Sequence, residues 1–165
     1  MAKSSASGTA KRARKPTPTW HDLAAMNDSK RAHWIRGRNH TEFVACGENW
    51  QAVAVKPIQL GLDALAAMRI GTRRGYLIVA DHLTGVLYVM VPPGSADAQF
   101  ADISGVRVLG LGHQLLMPRT ACDGSAAADW VGAPRDLDTP VLVDTDRLAA
   151  RLQELAPAYT EAVAR

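Results

Sequence analysis

Two uninterrupted apolar runs, Tyr76–Ala80 and Val86–Val91, constrain this chain more than any other feature. The short segment Asp81-His82-Leu83-Thr84-Gly85 separates them, and Gly75 and Pro92 bound them outside. Neither run approaches the roughly 20 apolar residues that a membrane-spanning helix needs. Apolar runs this short, joined by a loop of hairpin length, predict central antiparallel strands covered on both faces. Pro92-Pro93-Gly94 ends the second strand, because proline has no amide to donate. Strands covered on both faces need two flanking layers. The 165-residue chain, 47% apolar, has the material for them, and one domain is the expectation at that length.

The flanking pattern supplies the layers. Trp50–Val55 alternates as a short strand, and Pro57 suits the first turn of a helix, where its absent N–H costs nothing. Ile58, Leu62, Leu65 and Ala66 share one face of that helix, which ends near Ile70 and Gly71; Gly61 weakens it. Residues 94–105 read as loop. Val106–Leu109 and Gln114–Met117 flank Gly110-Leu111-Gly112-His113 and predict a second hairpin. Residues 119–140 are rich in Ala, Gly, Asp and Pro, with Trp130 as an apolar anchor, and Val141–Val143 is a short extended piece. Leu148, Leu152, Leu155, Tyr159 and Val163 then recur at helical spacing, behind a cap at Asp144 or Thr145. Pro157 predicts a kink or break there. The expected class is α+β: a small, mostly antiparallel sheet, one helix after the first strand, and a C-terminal amphipathic helix.

Charge is divided unevenly. Residues 1–40 hold nine cations and two acids, a net +7, while residues 41–165 hold ten cations and fourteen acids, a net −4. Residues 1–19 have the composition of a disordered basic arm, with Lys11, Arg12, Arg14 and Lys15 together before Pro16. Such an arm can grip phosphates by counterion release, or it can be a solubilising tail. Residues 20–45 interleave Trp20, His21, His33, Trp34 and His40 with Lys30, Arg31, Arg36 and Arg38. Aromatics stack on bases while arginines hold the backbone; alternatively the segment docks its tryptophans on the domain, which is taken to span residues 46–165. Candidate nucleic-acid contacts are therefore Lys11, Arg12, Arg14, Lys15, Arg31, Trp34, Arg36 and Arg38. DNA or RNA is the partner class, with a protein partner or self-association as the alternative.

Catalytic signatures are sparse. Gly110-x-Gly112 begins a dinucleotide fingerprint but Leu115 breaks it. Asp144-Thr145-Asp146 after an apolar strand has the Asp-x-Asp form that holds metal pairs, and it equally has the form of an acidic first helical turn. Asp81, His82 and His113 would make an acceptable divalent-metal set if the two hairpins were neighbours. Arg73-Arg74-Gly75 is either a phosphate contact or a solvated loop. Cys46 and Cys122 belong to no Cys-x-x-Cys and read as reduced thiols. With a basic start but no apolar core behind it, no secretory signal is recognised, and the cytoplasm is the expected compartment, with no membrane contact.

The central segment also carries a resemblance. Tyr76–Asp81, then Gly85-Val-Leu-Tyr-Val-Met-Val-Pro-Pro-Gly94, Gly105-Val-Arg-Val-Leu-Gly110 and Gly112-His-Gln-Leu-Leu-Met-Pro118, resembles small actinobacterial proteins similar to the N-terminal domain of bifunctional DNA primase-polymerases. The resemblance implies an α+β body and ancestral metal-dependent nucleotidyl transfer, with divalent metal on carboxylates after an apolar strand and a histidine on a neighbouring strand. Here the strand before the Pro-Pro-Gly loop yields Asp81 alone, and Asp144 and Asp146 follow the last strand. That departure implies a shortened, catalytically silent relative with no catalytic residues and no cofactor. The expected function is a non-enzymatic accessory or regulatory protein. A metal-dependent nucleotidyl-transfer enzyme using Asp81, His113, Asp144 and Asp146, and a protein-interaction module, are the alternatives.

Overall fold

The computed structural model describes residues 41–71, 73–94, 96–132, 134–135 and 141–164. The elements are β1 (Thr41–Ala45), β2 (Gln51–Val55), α1 (Ile58–Ala67), β3 (Ile78–Asp81), β4 (Val86–Val91), α2 (Ala96–Phe100), β5 (Val106–Leu109), β6 (Gln114–Pro118), β7 (Asp129–Gly132) and α3 (Thr145–Val163). The class is α+β, as expected. Five strands form one antiparallel sheet in the order β5-β2-β4-β3-β7, and β1 pairs with β6 in a second, two-stranded sheet. The succession β2-α1-β3-β4-α2-β5 is that of a ferredoxin-like split βαβ unit, to which β7 adds an edge strand.

The two apolar runs form the β3–β4 hairpin, with Ile78 opposite Val89 and Asp81 opposite Val86. Their alternate residues face opposite ways, as a pleated strand requires. Ile78, Ala80, Leu87, Val89 and Val91 join a core beneath α1 and α3. Leu77, Val79 and Met90 join a second core with Trp50, Leu115 and Met117 from the β1–β6 side. The layers are therefore helices, five-stranded sheet and two-stranded sheet. β2, flanked by β4 and β5, is buried at every position.

α1 and α3 run antiparallel on the helical face. Arg147 donates to the Met68 carbonyl at 3.2 Å, and further along the Tyr159 hydroxyl donates to Asp63. Gly61, the residue that weakened the helix in sequence, has a packing reason. A Cβ there would come within 2.5 Å of Leu87 Cδ2, so α1 lies on β4 at a distance only glycine permits. α3 continues through Pro157 without a break. Proline deprives the Gln153 carbonyl of its helical donor, but both residues are exposed, so water can serve instead.

The second hairpin is not formed. β5 pairs with β2 and β6 pairs with β1, so the Gly110–His113 turn carries the chain from one sheet to the other. Burial decides this: crossing over places Leu115 and Met117 against Val44 and Trp50 in the second core. Thr41–Ala45, which sequence grouped with the preceding basic segment, is a strand of that second sheet. The loop-like stretches 94–105 and 119–140 also contain α2 and β7. Trp50 is fully buried although its Nε1 has no hydrogen-bond partner among the described residues. An unmet donor costs about 1–3 kcal/mol. Burying roughly 150–250 Å² of indole at about 25 cal/mol per Å² contributes more.

Candidate functional site

The proposed nucleic-acid contacts Lys11, Arg12, Arg14, Lys15, Arg31, Trp34, Arg36 and Arg38 lie outside the described residues. The four candidate metal ligands lie inside, in separate local roles. Asp81 closes the β3–β4 turn: Oδ1 accepts from the amides of Leu83 (2.9 Å) and Thr84 (3.1 Å), and Oδ2 from the Thr84 hydroxyl (2.6 Å). Burial works to raise its pKa, but the Thr84 and Leu83 hydrogen bonds and the nearby His82 outweigh it and hold the carboxyl below its ordinary value. His113 sits in the turn between the sheets, its Nδ1 3.3 Å from the Gly110 carbonyl.

Asp81 and His113 lie at opposite ends of the sheet. Asp81 pairs beside Val86, whereas the His113 turn follows Leu109, which is level with Ala52. Asp144 caps α3 through the Arg147 amide at 2.9 Å. Asp146 accepts from Gln99 Nε2 at 2.7 Å and ties α3 to α2. Among the described residues no three His, Cys, Asp or Glu side chains gather as a metal site. His82, the third member of the sequence set, instead meets Asp129 Oδ2 at 3.0 Å, and both side chains are half exposed. Cys46 is buried and Cys122 exposed; both are free thiols, and burial pushes the Cys46 pKa up to about 11.

A different group of residues is brought together on the sheet face opposite the helices. Across the strands, Val79 pairs with Tyr88, Tyr88 with Ala54, and Ala54 with Arg107. Tyr88 and Arg107 thus flank a residue with almost no side chain, about 10 Å apart at the backbone by the interstrand spacing. Burial and the charge of Asp81 raise the Tyr88 pKa, and Arg107 opposes them. Lys56 follows β2 directly, two residues beyond Ala54. Ala54, Lys56, Val86, Gly105, Val106 and Arg107 line a shallow hollow of about 430 Å³.

Gly105 holds the rim. Its φ is +77°, its carbonyl accepts from the Lys56 amide at 2.8 Å, and an added Cβ would meet the Lys56 carbonyl at 2.2 Å. Both cations are exposed, whereas Tyr88 is half-buried. Sequence reasoning missed this group because positions 56, 88 and 107 meet only through strand register. Comparisons with protein-family models, with curated proteins and with solved structures find no match.

Proposed function

We propose that this protein is a non-enzymatic accessory or regulatory module that contacts nucleic acid through its basic N-terminal arm. One observation carries the reading: +7 of charge lies in residues 1–40, ahead of a net −4 in residues 41–165. A body of that sign repels phosphates overall, so most of the attraction must come from the arm. The arm joins the body at Thr41, the first residue of β1, in the two-stranded sheet that packs against the sheet face opposite the helices. The non-enzymatic part is supported by the carboxylates themselves, since Asp81 is engaged in a turn and Asp144 in a helix cap. On this reading the chain is a shortened, catalytically silent relative of the primase-polymerase domains it resembles.

The test is an electrophoretic shift at low salt with the full chain and with residues 41–165 alone. The full chain is expected to retard nucleic acid, and the arm-deleted chain to lose most of that retardation. No shift by the full chain at low salt would refute the proposal.

A further inference from the structure

We infer that the sheet face around Ala54 is a single-strand subsite: an unpaired base packs against Tyr88, and Lys56 and Arg107 hold the neighbouring phosphates. The inference rests on the proposed nucleic-acid function and adds to it a place on the body and a class of ligand.

Three observations support it. First, the register sets an aromatic ring and a guanidinium on either side of Ala54, with a second cation two residues along. A phenol face and an arginine plane are the two platforms on which unstacked bases rest. Second, Lys56 and Arg107 are both exposed and share one hollow, although residues 41–165 are net acidic. Asp81, whose charge reaches Tyr88, is held in the β3–β4 turn by Thr84 and Leu83 and does not line the hollow. Third, the hollow is shallow and lies on a sheet. A duplex keeps its bases inside its stack and offers such a face only phosphates, so a base platform has value for unpaired strands alone. Neither a phenol nor a cation pair reads base identity, so the subsite tolerates any sequence.

The test measures anisotropy of labelled oligonucleotides with the full chain. Each sequence is offered as a single strand and as a duplex, in DNA and in RNA. The variants are Tyr88→Leu, Tyr88→Phe and the doubly substituted Lys56→Gln/Arg107→Gln. The unmodified chain is expected to prefer single strands. Tyr88→Leu should weaken single-strand binding about tenfold, the value of one stacked base, and leave duplex binding unchanged. Tyr88→Phe keeps the ring and should restore the preference.

The double substitution changes exposed side chains only, so it tests the site without disturbing the core. It should lower the logarithmic salt slope on single strands by about 1.4, or about 0.7 for each phosphate that is no longer neutralised. Equal binding of both forms, unaffected by Tyr88→Leu and by the double substitution, would overturn the subsite while leaving an arm-borne function intact. Failure of the unmodified chain to bind either form would instead remove the function on which the subsite rests.

Discussion

The contact between Gly61 and Leu87 allows the packing of α1 on the sheet to be tested quantitatively. Gly61→Ala should gain about 1 kcal/mol from helix propensity. It also sets a methyl 2.5 Å from Leu87 Cδ2, and Leu87 is fully buried. Overpacking of that kind costs about 1–3 kcal/mol, so the net expectation is a loss of about 1 kcal/mol. Leu87→Val alone removes a methylene and should cost about 1 kcal/mol through the space it leaves. Together the two substitutions relieve each other, because valine lacks the atom that the new methyl strikes. The double variant should then lie close to the unsubstituted protein, with a favourable coupling of about 1–2 kcal/mol. Urea unfolding followed by circular dichroism, with the slope held constant across the four proteins, measures it. Additivity within about 0.5 kcal/mol would refute the close approach of α1 to β4.

Other consequences can be checked separately. Asp144→Ala should cost about 1 kcal/mol in the same unfolding assay, and Asp144→Asn much less, because asparagine caps α3 nearly as well. Under native conditions at mildly alkaline pH, a chromogenic thiol reagent should modify Cys122 quickly. Cys46 should react only after denaturant is added, since it is buried with a pKa near 11. Asp81 has a lowered folded pKa, so its stabilisation is complete above the ordinary aspartate value of about 3.9 and is lost as pH falls below it. Thermal unfolding between about pH 5 and pH 2 should show a shallower acid limb in Asp81→Asn than in the unsubstituted chain.

What could be read in the sequence follows from which interactions are local. The β3–β4 hairpin was legible because burial on both faces demands unbroken apolar runs, and a short loop leaves few ways to connect them. The Asp144 cap was legible because its partner, the Arg147 amide, is three residues away. The partners of β5 and β6 were not. A four-residue connection suits a hairpin and a crossover equally, and the choice is made by the distant Trp50 and Val44, against which Leu115 and Met117 pack. Gly61 looked like a defect in a helix because Leu87, the side chain that requires it, lies on a strand far along the chain. The Tyr88, Arg107 and Lys56 group was hidden for the same reason, since Ala54 joins it through pairing on two sides. By contrast, the Asp81 and His113 pair suggested by neighbouring loops is separated by the length of the sheet.

The salt dependence of nucleic-acid binding tests the central claim most directly. Dissociation constants of the full chain and of residues 41–165 for one single strand are measured across a range of salt concentrations. The full chain should give a linear logarithmic plot with a slope magnitude of roughly three or more, or about 0.7 per phosphate neutralised. Without residues 1–40 the slope should fall to about 1.4, the share of Lys56 and Arg107. A slope near zero for the full chain, or one that deletion of the arm leaves unchanged, would contradict the claim.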